Sequence, residues 1–108
     1  MKSINRITLR GEITTPKFVK LEDDLAIRLT LATENIRTTP KGVTYAEVEH
    51  HTIIAFQSDV NINLESIEKG QILEIEGRLR YTKYLSMEGT ERVFAEIRAT
   101  EIKRIKEE

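Results

Sequence analysis

Along residues 76–84, EGRLRYTKY, arginine, lysine and tyrosine crowd together without the apolar density of a buried strand. In an extended chain successive side chains point to opposite faces. Leu73, Ile75, Gly77, Leu79 and Tyr81 then share a core face, which predicts a buried Tyr81 ring. Glu74, Glu76, Arg78, Arg80, Thr82 and Tyr84 share the other face, which passes from acid to base and ends on an aromatic ring. The same alternation elsewhere turns out Arg6, Thr8, Arg10, Arg28, Thr30, His50, Thr52 and Phe56. Guanidinium groups pair with phosphate, and exposed rings offer flat surfaces to unstacked bases. That is the chemistry of a nucleic-acid groove. A solvated sheet face is the plain alternative, since exposed Arg and Thr are ordinary residues. What favours the groove is segregation: the acids fall in turns, on a predicted helix and at the C-terminus.

Five strands must position these residues. INRITLRGEI (4–13) places Ile7, Leu9 and Ile13 inward, and LAIRLTLAT (25–33) does the same with Leu25, Ile27, Leu29 and Leu31. EVEHHTIIAF (47–56), QILEIEGRLRYTKYL (71–85) and RVFAEIRATEIKRI (92–105) complete the set. Gly77 marks a bend or bulge in the fourth. Between the third and fourth strands, SDVNINLESIEKG (58–70) predicts a short helix, with Ser58 as N-cap, Val60, Leu64 and Ile67 at helical spacing, and Gly70 at the C-terminal cap. LEDD (21–24) and MEGTE (87–91) read as hairpin turns, and TPKGVTYAE (39–47) as a longer flexible connection. Three strands, a helix and two strands describe an all-β, five-stranded Greek-key barrel, the OB-fold.

Composition agrees. The chain has 108 residues, 39% hydrophobic and 32% charged, which suits one modest core and one domain. A formal net charge of −1 excludes coating a polyanion through bulk charge, so any nucleic-acid site comes from local clustering. Cysteine is absent, which removes disulfides and thiolate metal sites. No stretch resembles a signal peptide or a membrane span, so the expected location is the cytoplasm.

The blocks LTLATEN, EHHTIIAF, EKGQILEIEGRLRYTKY and GTERVFAEI, in that order, resemble the bacterial single-stranded DNA-binding protein family from about Ile4 to Ile102. KGQILEIEGRLRYTKY carries the most specific likeness. The resemblance implies OB domains, assembled as homotetramers, that bind single-stranded DNA without sequence preference and protect intermediates of replication, recombination and repair. Residues 1–105 then form the binding domain and 106–108 a short charged end. The resemblance places Tyr84 at a base-stacking tryptophan position and Phe56 at a stacking phenylalanine. Lys69 and Lys83 match basic positions, and Arg6 lies near another. His50 stands at a second tryptophan position beside the matching His51, and Ile36 or Arg37 lies near a third. Thr52 and Ser58 occupy positions where basic residues are common. With no Trp in the chain, the stacking surface is expected to be smaller than the family's.

The candidate DNA-binding set is therefore Arg6, Arg10, Arg28, Arg37, Lys41, His50, Thr52, Phe56, Lys69, Arg78, Arg80, Lys83 and Tyr84, with Lys41 and Tyr45 on a finger beside it. Phe94 is expected to serve core or interface rather than DNA. His50 and His51 point to opposite faces and do not suit one metal ion, so neither metal nor cofactor is expected. The basic face holds no acidic cluster for a catalytic metal, which argues against an OB-type nuclease and against enzymatic activity. The competing function is a dimeric replication-restart adaptor resembling primosomal replication protein N. The family resembled continues into a flexible linker and an acidic, hydrophobic tip that recruits replication and repair proteins. EIKRIKEE has neither, so a tailless form without such recruitment is the expectation.

Overall fold

The structure, a computed structural model, describes residues 1–106; Glu107 and Glu108, the last of the predicted charged end, lie outside the described residues. The strands are β1 (Ile7–Ile13), β2 (Lys17–Lys20), β3 (Leu25–Thr38), β4 (Thr44–Phe56), β5 (Ile72–Leu85) and β6 (Glu91–Ile105). They hydrogen-bond in the order β1-β5-β6-β4-β3-β2. A second pairing, Glu12↔Ala32 and Ile13↔Leu31, joins β1 to β3 and closes five strands into the expected OB barrel. The other closing seam is the short parallel contact Ile53↔Ile97 and Ile54↔Arg98 between β4 and β6. No helix among the described residues is long and apolar enough to cross a membrane.

The period-two residues fill the barrel. Ile13, Ile27, Leu29, Leu31, Ile53, Leu73, Ile75, Ile97 and Ile102 are buried together with Ala55 and Ala99. Each such large aliphatic side chain contributes roughly 1.5–3 kcal/mol on leaving water. Gly77 lies in a bulge, where Glu76 faces Glu101 but Gly77 faces Ala99, leaving Thr100 unpaired. A Cβ at Gly77 would collide with the Arg98 carbonyl oxygen, so only glycine fits this bend.

Four expectations change. The predicted helix is present only as a single 3-10 turn, Leu64–Ser66, capped by Asn63 instead of Ser58. Polar side chains hold this segment in other conformations: Gln57 bonds the Ile62 carbonyl and the Leu64 amide, and Asn61 accepts the Ile102 amide. Leu64 and Ile67 are still buried, as a plug under the barrel. Ser58 donates to the Asp24 carboxylate at 2.6 Å, which ties this segment to the β2–β3 turn. Residues 39–47 are no loose connection: β3 runs on to Thr38, and β4 begins at Thr44 in register with it. A sixth strand also appears where none was expected: β1 ends at Ile13, and after Thr14–Pro16 the chain resumes as β2 against β3. Finally Tyr81, expected in the core, is 67% exposed. Beyond Leu79, β5 has left the barrel with only β6 as neighbour, so its inward parity faces no second layer.

Candidate nucleic-acid interface

The registers of the sheet set out one row across five strands. Lys17 on β2 faces Arg28 on β3, Arg28 faces Ile54 on β4, Ile54 faces Arg98 on β6, and Arg98 faces Arg78 on β5. Directly paired residues project to the same side of a sheet, so these cations share the barrel exterior. Like charges in direct opposition, as at Arg78 and Arg98, weaken a sheet, and a bound polyanion would relieve them. Among the described residues Lys17, Arg28, Arg78 and Arg80 have no carboxylate ion pair. Arg80 lies on the same exterior face, opposite Glu96, whose carboxylate accepts from Thr82 at 2.9 Å.

Aromatic rings flank the row. Phe56 ends β4 half-buried beneath the Arg98 guanidinium, 4.7 Å from its ring centroid. Asp59 accepts from Arg98 Nη2 at 2.9 Å and holds the guanidinium there. Tyr84 stands on the projecting β5–β6 arm, half-exposed, with its ring edge-on to Phe94 at 5.7 Å and 61°. The Arg28 guanidinium lies 5.8 Å over the same Phe94 ring. Cations placed over aromatic faces are attracted by the ring quadrupole, so these guanidiniums are oriented before any ligand arrives.

Local contacts aim the arm. Asn5, just before β1, donates its Nδ2 to the Leu79 carbonyl at 2.7 Å and accepts the Leu79 amide on Oδ1 at 2.9 Å. One side chain thus replaces a ladder residue at the point where β5 leaves the barrel, between Arg78 and Arg80. At the other end, Asp24 accepts from the Ser58 hydroxyl and the Leu25 amide, which hold its carboxyl below the usual carboxylate range; a smaller burial effect opposes them.

The structure brings together Arg28, Thr52, Phe56, Arg78, Arg80 and Tyr84 on this face, and His50 shares the exterior side of β4 with them. His51 turns the opposite way, its Nε2 at 2.9 Å from the Thr33 hydroxyl. The remaining candidates lie elsewhere. Arg6 and Arg10 form ion pairs with Glu76 and Glu74 at 2.7 and 2.9 Å, in a mixed patch at the start of β5. Lys83 occupies the reverse side of the arm from Tyr84 and faces Glu91 at 3.5 Å. Arg37 sits on the far part of the β3–β4 hairpin, 3.7 Å from Glu47, and Lys41 lies in its turn. Lys69 precedes β5, at the end of that strand remote from Tyr84.

Lys17, Asn5, Phe94 and Arg98 were not singled out as site residues from the sequence. The sequence assigned Phe94 to core or interface and gave no reason to single out Arg98; register shows both on the exterior face and which side chains meet there. Among the described residues no group of three His, Cys, Asp or Glu side chains is arranged to hold a metal ion.

Comparison with known proteins follows the same lines. The Single-strand binding protein family matches residues 4–105. The chain is 31% identical over 103 residues to a single-stranded DNA-binding protein of Xanthomonas campestris pv. campestris, covering 94% of this chain and 60% of that one. It is also 31% identical to one of Xylella fastidiosa, covering 94% and 63%. The chain therefore spans about 60% of the length of the curated relatives it matches. In three dimensions it resembles Plasmodium falciparum SSB in its complex with ssDNA, at a TM-score of 0.84, 19% identity and 98% coverage of both chains. It resembles the wild-type single-stranded DNA binding protein of Thermus aquaticus at a TM-score of 0.76 and 24% identity, over 95% of this chain and 50% of that one.

Proposed function

The chain belongs to the single-strand binding protein family, and from that membership we propose that it binds single-stranded DNA without sequence preference, sheltering intermediates of replication, recombination and repair. Phosphates pair with Arg28, Arg78, Arg80 and Lys17, and unpaired bases stack on Tyr84 and Phe56. Residues 1–105 act as the binding domain, assembled as a homotetramer in the cytoplasm at the nucleoid, by binding and not by catalysis. The observation that carries this reading is the row of four cations, Lys17, Arg28, Arg98 and Arg78, beside the half-exposed Tyr84 ring and the half-buried Phe56 ring, on a chain whose net charge is only −1. A face of that kind holds a flexible polyanion whose bases are free to splay onto rings. A duplex hides its bases, so the rings then contribute nothing.

The test is a fluorescence-anisotropy titration with labelled oligo(dT) and a duplex of matched length, with the mass of the assembly recorded. Strong preference for the single strand is expected, and equal affinity overturns the proposal. Affinity should fall with salt, with a logarithmic slope of about −0.7 per phosphate contacted on a single strand. Arg78→Ala and Arg80→Ala should each flatten that slope. Arg10→Ala should leave it nearly unchanged, because Glu74 already neutralises Arg10.

A further inference from the structure

Phe94 has no task in the core. It lies on the exterior face of β6, opposite Thr82, in the part of the strand whose neighbour is the projecting half of β5. It belongs neither to the buried cluster nor to the apolar side chains packed against that cluster. What partly covers it is Tyr84 on one side and the Arg28 guanidinium over its face. The two guanidinium–ring pairs of this face differ in a way that matters. Arg98 sits 4.7 Å from Phe56 and is tethered by Asp59, so its guanidinium is fixed in place. Arg28 sits 5.8 Å from Phe94, and among the described residues no carboxylate pairs with it.

We propose that Phe94 and Arg28 form a nucleobase subsite, in which one base of the bound strand enters between the Phe94 ring and the Arg28 guanidinium, in the corner closed by Tyr84. Stacked planes lie about 3.4 Å apart, so a base between two plates needs them roughly 7 Å apart. The Arg28 guanidinium carbon lies 5.8 Å from the ring centroid, too close for a base to enter as it stands, and the flexible Arg28 stem can rise to make room. Guanidinium planes and aromatic rings both stack on bases, and stacking tolerates any base because each has a π-face. The subsite therefore adds grip without adding sequence preference, in a chain that has no Trp. It rests on the single-stranded DNA reading above.

The experiment is oligo(dT) anisotropy as a function of salt for Phe94→Leu, Phe94→Tyr and Arg28→Lys, with melting temperature and assembly mass measured on each variant. Phe94→Leu keeps apolar bulk and removes the π-face. It should retain fold and mass, keep the wild-type salt slope, and lose affinity by roughly 5- to 150-fold, the range of single base–aromatic stacks. Phe94→Tyr should bind like the wild type. Arg28→Lys keeps the charge and loses the plane, so affinity should fall at unchanged slope, and the double variant Phe94→Leu/Arg28→Lys should lose less than the product of the single losses. Wild-type affinity in Phe94→Leu, or a change in assembly mass as the source of its loss, overturns the subsite alone. Failure of the wild type to bind oligo(dT) overturns the parent reading and the subsite with it.

Discussion

Replacing Asn5 by alanine tests whether the binding arm is aimed by a single side chain. Asn5 makes two hydrogen bonds to one residue, to the Leu79 carbonyl at 2.7 Å and from the Leu79 amide at 2.9 Å. A neutral hydrogen bond contributes roughly 0.5–1.5 kcal/mol net, so the pair is worth about 1–3 kcal/mol. Asn5 is exposed, and water can replace part of what is lost, which places the expected cost near the lower end, about 1–1.5 kcal/mol. For a chain of this size that lowers the melting temperature by roughly 4–7 °C. Melting must be compared at equal protein concentration, because assembly shifts the midpoint by mass action. Hydrogen exchange locates the effect: the Leu79 amide should lose protection while amides of the buried barrel strands keep theirs. Oligo(dT) affinity should fall as well, because Arg78 and Arg80 flank the released residue. Asn5→Asp gives a sharper form of the test. Its carboxylate still accepts from the Leu79 amide but opposes the Leu79 carbonyl, so at neutral pH it should destabilise at least as much as alanine and recover on acidification. An unchanged melting temperature and an equally protected Leu79 amide in Asn5→Ala would falsify the reasoning.

Tyr81→Ala and Tyr84→Ala should both leave the melting temperature nearly unchanged, since both rings are more than half exposed. Only Tyr84→Ala should weaken oligo(dT) binding strongly, by about 1–3 kcal/mol, and equal losses from both variants would place DNA on the two sides of the arm. Gly77→Ala drives a Cβ into the Arg98 carbonyl oxygen; the cost expected from overpacking is about 1–3 kcal/mol, read as a lower urea midpoint, and an unaltered midpoint contradicts the close approach. The Asp24 carboxyl, held below its ordinary value of 3.8 by the Ser58 hydroxyl first and then the Leu25 amide, stabilises the fold fully above that value and loses this contribution as pH falls through the lower folded value. Ser58→Ala should therefore melt earlier than the wild type at neutral pH, with the difference closing in acid; a constant difference across that range argues against the linkage.

The alternation of apolar and polar residues was enough to place Ile13, Ile27, Leu29, Leu31, Leu73 and Ile75 in the core, because burial on one face of a strand imposes a period of two on the sequence itself, whereas Ile102 turns inward only through the bulge at Thr100. Gly77 was legible for a similar reason: a residue without a side chain in a strand marks a bend or a close approach. Arg28, Arg78, Arg80, Phe56 and Tyr84 could be assigned to the exterior by parity alone. Parity is local, however, and says nothing about what lies across the sheet or whether a second layer is present. Tyr81 has core parity and no core beneath it, because β5 outruns the barrel. Asn61 and Asn63, with Gln57, bond the backbone and confine the predicted helix to one turn. Arg6 and Arg10 have the parity of the cationic face, yet the β1–β5 register puts Glu76 and Glu74 within reach of them. The row Lys17–Arg28–Ile54–Arg98–Arg78 joins positions up to 81 residues apart in sequence (98 minus 17). Only strand pairing brings them together, since which side chains are neighbours across a sheet is set by hydrogen bonds between strands and not by distance along the chain.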